Sequence, residues 1–363
     1  LIPMNSARFY HEHSQVAIRI KQDHPGTPTV YQQAESLGGT FVRITKGLPK
    51  NSVANFSPCV LKHNNKTLIA WRSQPEPFCF RYDNNYFYMN SQPTDVYIGE
   101  LLNDSTIIGT KKIRSKPHKL SYEDPRLFIG PDSELYVQFV GSTYASQRNK
   151  GGAKLFDQPK VIVAYVNETG EAVTPAIPPI GKNREKEAAE KNWCFFTHKD
   201  ELCCLYSTRP LIIERESSPT ITTDTTVLEG ATHGAATFNS TAPINIGYGH
   251  LVFYHWKRME TDSNGFVYLK YYLGSYIVDK TFEKILYYDE NPLFEGSLND
   301  QLIAWTDVTG NIVSFQPAVI LPFGAFIENT EVVMALGVND AFMGTFRCPL
   351  ENIMKRMTKV ISV

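Results

Sequence analysis

Residues 122–140 read Tyr122-Glu123-Asp124-Pro125-Arg126-Leu127-Phe128-Ile129, then Gly130-Pro131-Asp132-Ser133-Glu134, then Leu135-Tyr136-Val137-Gln138-Phe139-Val140. Two apolar runs of strand length flank a turn rich in Gly, Pro, Asp and Ser, which spells an antiparallel hairpin. Two carboxylates stand ahead of a proline at its start, and an arginine follows. A residue before proline is pushed out of the helical region, so Asp124 is expected to be extended at the strand's beginning. A carboxyl group fixed there, with a cation two residues on, suits general-acid work. A plain Asp-Pro turn with a neighbouring ion pair accounts for the same residues without chemistry.

The same pattern returns along the chain. Pro58-Cys59-Val60-Leu61 and Leu68-Ile69-Ala70-Trp71-Arg72 flank His63-Asn64-Asn65-Lys66. Trp193-Cys194-Phe195-Phe196 and Leu202 to Arg209 flank His198-Lys199-Asp200. Ile244-Asn245-Ile246 leads through Gly247-Tyr248-Gly249 into Leu251 to Trp256. Ala325-Phe326-Ile327 and Val332 to Asp340 flank Glu328-Asn329-Thr330. The turns recur at roughly 50 to 80 residues, a spacing of propeller scale. Five such hairpins predict an all-β protein, a five-bladed β-propeller spanning 1–363 as one domain. A two-sheet sandwich is the competing fold, but it needs no repeat. Residues 1–45 are expected to form an N-terminal arm and outer strands, and Leu350 to Thr358 a short C-terminal helix with Ile353 and Met357 on its apolar edge. Lys182 to Lys191 reads as a charged, solvated stretch.

Apolar residues make up 42% of the 363 and charged residues 20%, with a formal net charge of −1. That balance fits a globular protein with a sizeable core and argues against a nucleic-acid or anionic-membrane partner. No run is long enough to cross a bilayer, and no signal peptide is visible. Six cysteines without zinc spacing suggest buried thiols in a reducing, cytoplasmic setting, and a first residue Leu1 in place of Met is compatible with a processed or trimmed start. Aromatic residues reach 12%, which favours strands and supplies flat platforms for sugars.

No Gly-rich dinucleotide loop, Walker loop, His-Glu-x-x-His, Asp-x-Asp or Gly-x-Ser-x-Gly appears, so a metal-free, cofactor-free mechanism is expected. What remains is a set of polar residues at corresponding hairpin ends: Arg72; Asp124 and Arg126; Lys191, Asn192 and Arg209; Tyr254 and His255; Asn339 and Asp340. If those ends converge, one carboxylic acid faces a nest of cations suited to a small dianion such as phosphate. Each cation alone is also explained by a surface ion pair.

Glu123-Asp124-Pro125-Arg126, Glu190-Lys191-Asn192-Trp193, Tyr206-Ser207-Thr208-Arg209-Pro210, Leu251-Val252-Phe253-Tyr254-His255, Tyr272-Leu273-Gly274 and Gly337-Val338-Asn339-Asp340 together resemble glycoside hydrolase family 130, over roughly residues 50 to 350. The resemblance implies a five-bladed propeller and an inverting β-mannoside phosphorylase in which Asp124 is the general acid. It implies phosphate held by Arg72, Arg126, Lys191, Arg209 and His255, and sugar contacts from Ser57, Glu123, Asn192, His233, Tyr254, Tyr272 and Asp340. The chain departs from the family at Ser57-Pro58, Lys191-Asn192-Trp193, Thr208-Arg209-Pro210 and Gly234-Ala235-Ala236-Thr237. Its Gly337 to Asp340 segment is similar to a branch of β-1,2-mannosyltransferases and phosphorylases that use a GDP-mannose donor.

A phosphorylase needs one carboxylic acid because phosphate is already a nucleophile. A hydrolase needs a second carboxylate to activate water, and Glu123 is not expected to serve, since neighbours on an extended chain point to opposite faces. The expected partner is a β-mannoside oligosaccharide, with inorganic phosphate or GDP-mannose as co-substrate. A homo-oligomer is compatible with the sequence. A non-catalytic glycan-binding propeller is the reading from outside enzymology.

Overall fold

The computed structural model describes residues 16–20, 26–50, 52, 54–74, 80–83, 86–89, 94–113, 120–143, 160–167, 172–176, 180, 191–261, 267–300, 302–306, 312–315 and 318–361. Most of the charged stretch 182–191 and Cys79 lie outside them.

Three successive sheets are four-stranded antiparallel meanders with strands in chain order. The first holds Ala54–His63, Lys66–Gln74, Asp95–Leu101 and Ile107–Lys112; the second Leu120–Ile129, Leu135–Thr143, Lys160–Val166 and Ala172–Ala176; the third Cys194–His198, Glu201–Thr208, Leu211–Arg215 and Ile221–Thr223. The turns at Asn64-Asn65, Lys199-Asp200 and Asn329-Thr330 hold both central residues at φ between 48° and 66°. That is the primed geometry whose twist matches the flanking strands.

The chain is thus an all-β propeller, but four blades are counted rather than the five that the hairpins predict. The sheets of the fourth and fifth hairpins are the irregular ones. The fourth has seven strands, and its main hairpin is Gly249–Thr261 with Val267–Asp279; the Ile244–Asn245 segment is only a short flap paired to it. In the fifth, Ile320–Leu321, Glu331–Val338 and Phe342–Pro349 are completed by Thr40–Arg43 from the far end of the chain. A further sheet joins Val16–Ile20, Leu302–Thr306, Ile312–Phe315, Phe80–Asp83 and Tyr86–Met89.

Strand alternation sends neighbouring residues into different cores. Cys59 and Ala70 pack with Leu127, Val137 and Phe139 of the second sheet, whereas Val60, Ile69 and Trp71 pack with Val333 and Ala335 of the fifth. Phe128 and Val140 meet Trp193 and Phe195; Leu205 and Ile213 meet Val252 and Trp256; Phe253 and Leu273 meet Met334 and Leu336. Cys203 and Cys204 divide between two of these cores as adjacent strand residues must. The five described cysteines are buried and free.

Among the described residues helix is confined to Val30–Ser36, Leu228–Ala231 and Leu350–Met354. The first was not expected within the N-terminal arm; Thr29 and Gln32 form a capping box at its start. The C-terminal helix is shorter than the sequence suggests, because Met357–Lys359 pairs with Ile285–Asp289 as a strand. Ile353 and Met357 still reach the same core. No helix of the described residues is long and apolar enough to cross a membrane.

Candidate active site

Asp124 is not extended. Its φ is +53°, in the left-handed region, and the strand pairing slips there, Glu123 facing Val140 while Arg126 faces Gln138. Two residues, Asp124 and Pro125, thus oppose one, which defines a β-bulge. The bulge re-aims the chain and breaks the alternation that separates neighbouring side chains. As a result Glu123 and Asp124 reach the same guanidinium: Arg72 Nη2 lies 3.5 Å from Glu123 Oε1, and Arg72 Nη1 lies 3.9 Å from Asp124 Oδ1. The expectation that Glu123 and Asp124 face apart is therefore corrected.

Lys191 Nζ donates to Glu123 Oε2 at 3.1 Å. Burial pushes the Glu123 carboxyl toward protonation, but Arg72 and Lys191 outweigh it and hold the group well below the usual carboxylate range. Glu123 thus bridges the two cations. Lys191 answers in kind: burial works against its charge, and Glu123 and Asp124 raise its pKa despite Arg72.

Asp340 enters from the fifth sheet. Asn339 and Asp340 both have positive φ, 52° and 50°. The fully buried Asn339 amide fixes them, accepting from Val319 N and donating to Ser297 O, each at 2.9 Å. Burial pushes the Asp340 carboxyl up to about 7; Arg72 and Lys191 oppose the rise, while Asp124 and Glu123 add to it. Tyr271 lies within the field of Asp340 and Asp124, which together with burial raises its phenol.

His255 is buried, with Nδ1 2.8 Å from Ser240 Oγ. Burial, then Arg126 and Lys257, drive its pKa far down, so the imidazole is neutral. Ser57 and Asn192, with φ of 52° and 62°, carry the left-handed turn in the first and third sheets. The Asn192 carbonyl accepts from Asn239 Nδ2 at 2.9 Å.

The structure thus gathers Arg72, Glu123, Asp124, Lys191 and Asp340, with His255 and the unforeseen Tyr271 and Lys257 beside them. Other candidates are placed elsewhere. Arg126 is buried: Nε and Nη2 donate to the carbonyls of Ser240 and Asn239 at 3.3 and 3.2 Å, and its guanidinium sits 4.2 Å from the Phe323 ring centroid. Cys59 and Cys194 also feel its charge. Arg126 is therefore surrounded by the first, third, fourth and fifth sheets and ties them to the second. Arg209 holds the loop bearing His233, donating to Thr232 Oγ1 at 3.1 Å and Gly234 O at 3.4 Å. Tyr254 is stacked on Trp256 inside a core. Tyr272 lies flat on Trp256, 5.4 Å away, and its hydroxyl donates to Glu260 at 2.9 Å. Its chain neighbour Tyr271 is the one turned toward the carboxylates. Only strand register could have found that: Tyr271 pairs with Lys257, two residues beyond His255.

A propeller with its polar side chains gathered from different sheets at one end is the class this chain defines. Among solved structures of that fold, it is similar to the β-1,2-mannobiose phosphorylase of Listeria innocua, at 13% identity and TM-score 0.53, over 86% of this chain and 94% of that one. It is also similar to a GDP-mannose-dependent mannosyltransferase from Leishmania mexicana, at 13% identity and TM-score 0.50, over 92% and 98%. A third likeness comes from the family 130 group of mannoside phosphorylases, which contains glycoside hydrolases targeting β-1,2-mannosidic linkages in Candida mannan (10% identity, TM-score 0.50, 85% and 93% covered). No protein-family profile and no curated protein matches the chain. The fold is that of divergent family 130-like proteins.

Proposed function

We propose that the protein is an inverting phosphorylase of β-mannosides. The observation that carries this reading is the convergence of Asp124 and Glu123 with the cations Arg72 and Lys191. Phosphate held by the cations attacks the anomeric carbon from the face opposite the leaving sugar. The glycosidic C–O bond breaks as the phosphate O–C bond forms, and the Asp124 proton passes to the leaving oxygen. The products are α-mannose 1-phosphate and a glycan shortened by one residue. Glu123, although close to Asp124, is a poor base for activating water because its two cations hold it ionised, and an efficient base has a pKa near the working pH. We further infer that the sheet completed by Thr40–Arg43 serves as a fifth blade, a reading supported by an apolar core between each consecutive pair of sheets.

The test is incubation with β-linked mannobiose and inorganic phosphate. Release of mannose 1-phosphate that requires phosphate is expected, and free mannose formed without phosphate overturns the reading. A second reading, mannosyl transfer from GDP-mannose to a mannan acceptor, is supported by the Gly337-Val338-Asn339-Asp340 motif and by the likeness to the Leishmania transferase fold. Glycan growth with GDP-mannose, in the absence of phosphorolysis, selects it.

A further inference from the structure

Residues 295–300 are held from two sides. On one side the N-terminal segment closes over them. Gln33, on the helix Val30–Ser36, pairs with the Glu295 backbone as a neighbouring strand would: its Nε2 donates to Glu295 O and its Oε1 accepts from Glu295 N, each at 2.8 Å. The Thr27 carbonyl accepts from Ser297 Oγ at 2.9 Å and from Asn299 Nδ2 at 2.8 Å. Val30 N donates to the buried Asp300 Oδ2 at 3.0 Å. Lys270 Nζ joins the two segments, donating to Thr27 Oγ1 at 3.1 Å and to Glu295 Oε2 at 2.9 Å. The paired groups of the two segments stand 262 to 272 residues apart in the chain, so no local propensity accounts for them.

On the other side the same residues lie against the site. Gly296 N donates to Tyr271 O at 2.8 Å. The chain crosses Ala318 so closely that a Cβ on Gly296 would lie 1.9 Å from the Ala318 carbonyl oxygen. One residue on, Ser297 O accepts from Asn339 Nδ2 at 2.9 Å. Asn339 also binds Val319, through its side-chain oxygen and its backbone N–H. Asn339 and Asp340 are both left-handed. Two such residues in a row, neither a glycine, are strained, and the conformation persists only where its surroundings fix it. If the Ser297 carbonyl drifts, Asn339 loses one of the three hydrogen bonds that fix it, and the Asp340 carboxyl group loses its direction. Asp340 stands in the field of Arg72, Asp124, Glu123 and Lys191, so a shift there is a shift in the site.

We propose that Gln33, Ser297 and Asn339 are positioning residues: the N-terminal segment clasps residues 295–300, and Ser297 passes that hold to the Asn339–Asp340 turn and sets where Asp340 stands beside Asp124. The inference rests on the phosphorylase reading for its kinetic consequence, since a carboxyl group beside the general acid meets hydroxyls of the bound mannoside.

The experiment compares the native chain with Gln33→Ala, Asp340→Asn and the double variant, by hydrogen exchange read in a mass spectrometer and by turnover of β-linked mannobiose. In Gln33→Ala the amides of residues 295–300 and 339–341 should exchange faster, while those of Leu135–Thr143 keep their native rates. The KM for the mannoside is expected to rise about 3- to 10-fold, as for the loss of a neutral hydrogen bond, and the KM for phosphate to stay unchanged. On the Asp340→Asn background the same substitution should add nothing to the mannoside KM. Urea unfolding checks that each variant is folded, and Gln33→Glu, which keeps the acceptor for Glu295 N, replaces Gln33→Ala should the latter fail. Native exchange at 339–341, or a KM effect that adds in full to that of Asp340→Asn, overturns the clasp and leaves the phosphorylase reading standing. No mannose 1-phosphate from the native protein overturns the phosphorylase reading, and the exchange rates then decide the clasp by themselves.

Discussion

Ser57-Pro58 and Asp124-Pro125 are the same backbone device in consecutive sheets. Each residue sits at a strand bulge, each is followed by proline, and their φ values are 52° and 53°. One carries a hydroxyl and the other a carboxyl group. The ring supplies an inward-turned position several times over, and the side chain placed there decides whether it does chemistry. The cations respect the same division: Arg72 stands on the strand opposite the Ser57 bulge, facing Phe56, yet it reaches across to the carboxylates of the next sheet.

The largest effect expected from this contrast is at Asp124. Asp124→Asn keeps a residue that tolerates the left-handed turn and removes the proton, so turnover falls about 10²- to 10⁴-fold while mannoside binding persists. Loss of turnover with binding kept also sets aside a purely glycan-binding role, and unchanged turnover removes Asp124 from the mechanism.

Next in size is Arg126. Arg126→Met leaves the carbonyls of Asn239 and Ser240 without their donor, at about 1–3 kcal/mol for each buried group left unsatisfied. A lowered urea midpoint is expected, and a phosphate affinity kept in the folded fraction separates this anchor from the ligand-binding cations.

The pH dependence comes third. Asp340 and Asp300 are both pushed up by burial to about 7, against ordinary carboxyls in the unfolded chain. Between about pH 4 and pH 7 the folded state therefore holds the extra protons, and stability falls as pH rises, by up to ~1.4 kcal/mol per pH unit for each group. This contribution is complete below about pH 4 and gone above about pH 7. Asp340→Asn should flatten its share of the slope in urea titrations; an unaltered slope places the effect elsewhere.

The smallest change is expected at the silent partner. Ser57→Gly relieves a left-handed residue but adds chain entropy, two terms of about 1 kcal/mol that oppose each other. Stability and turnover should stay near native. A large loss of turnover would mean that Ser57, too, does chemistry.

Hairpins were legible in the sequence because turn chemistry and apolar runs are local. The blade count was less so, because Thr40–Arg43 joins a sheet whose other strands lie near residues 320–349, and no local pattern reports that pairing. Asp124, Arg72, Lys191 and Asp340, which the fold brings near one another, were candidates from strand ends and motifs. The bulge was missed since proline argues only against helix and does not choose between extended and left-handed backbone. Tyr272 was singled out from its motif, whereas Tyr271 was not considered, since its pairing with Lys257 is a matter of strand register. Arg126 stood two residues from the acid, yet its guanidinium is taken up by the carbonyls of Asn239 and Ser240 and the Phe323 ring.

Arg126 is one buried side chain held by carbonyls of the fourth sheet and a ring of the fifth, with thiols of the first and third in its field. A change at this one side chain is therefore felt in several sheets at once.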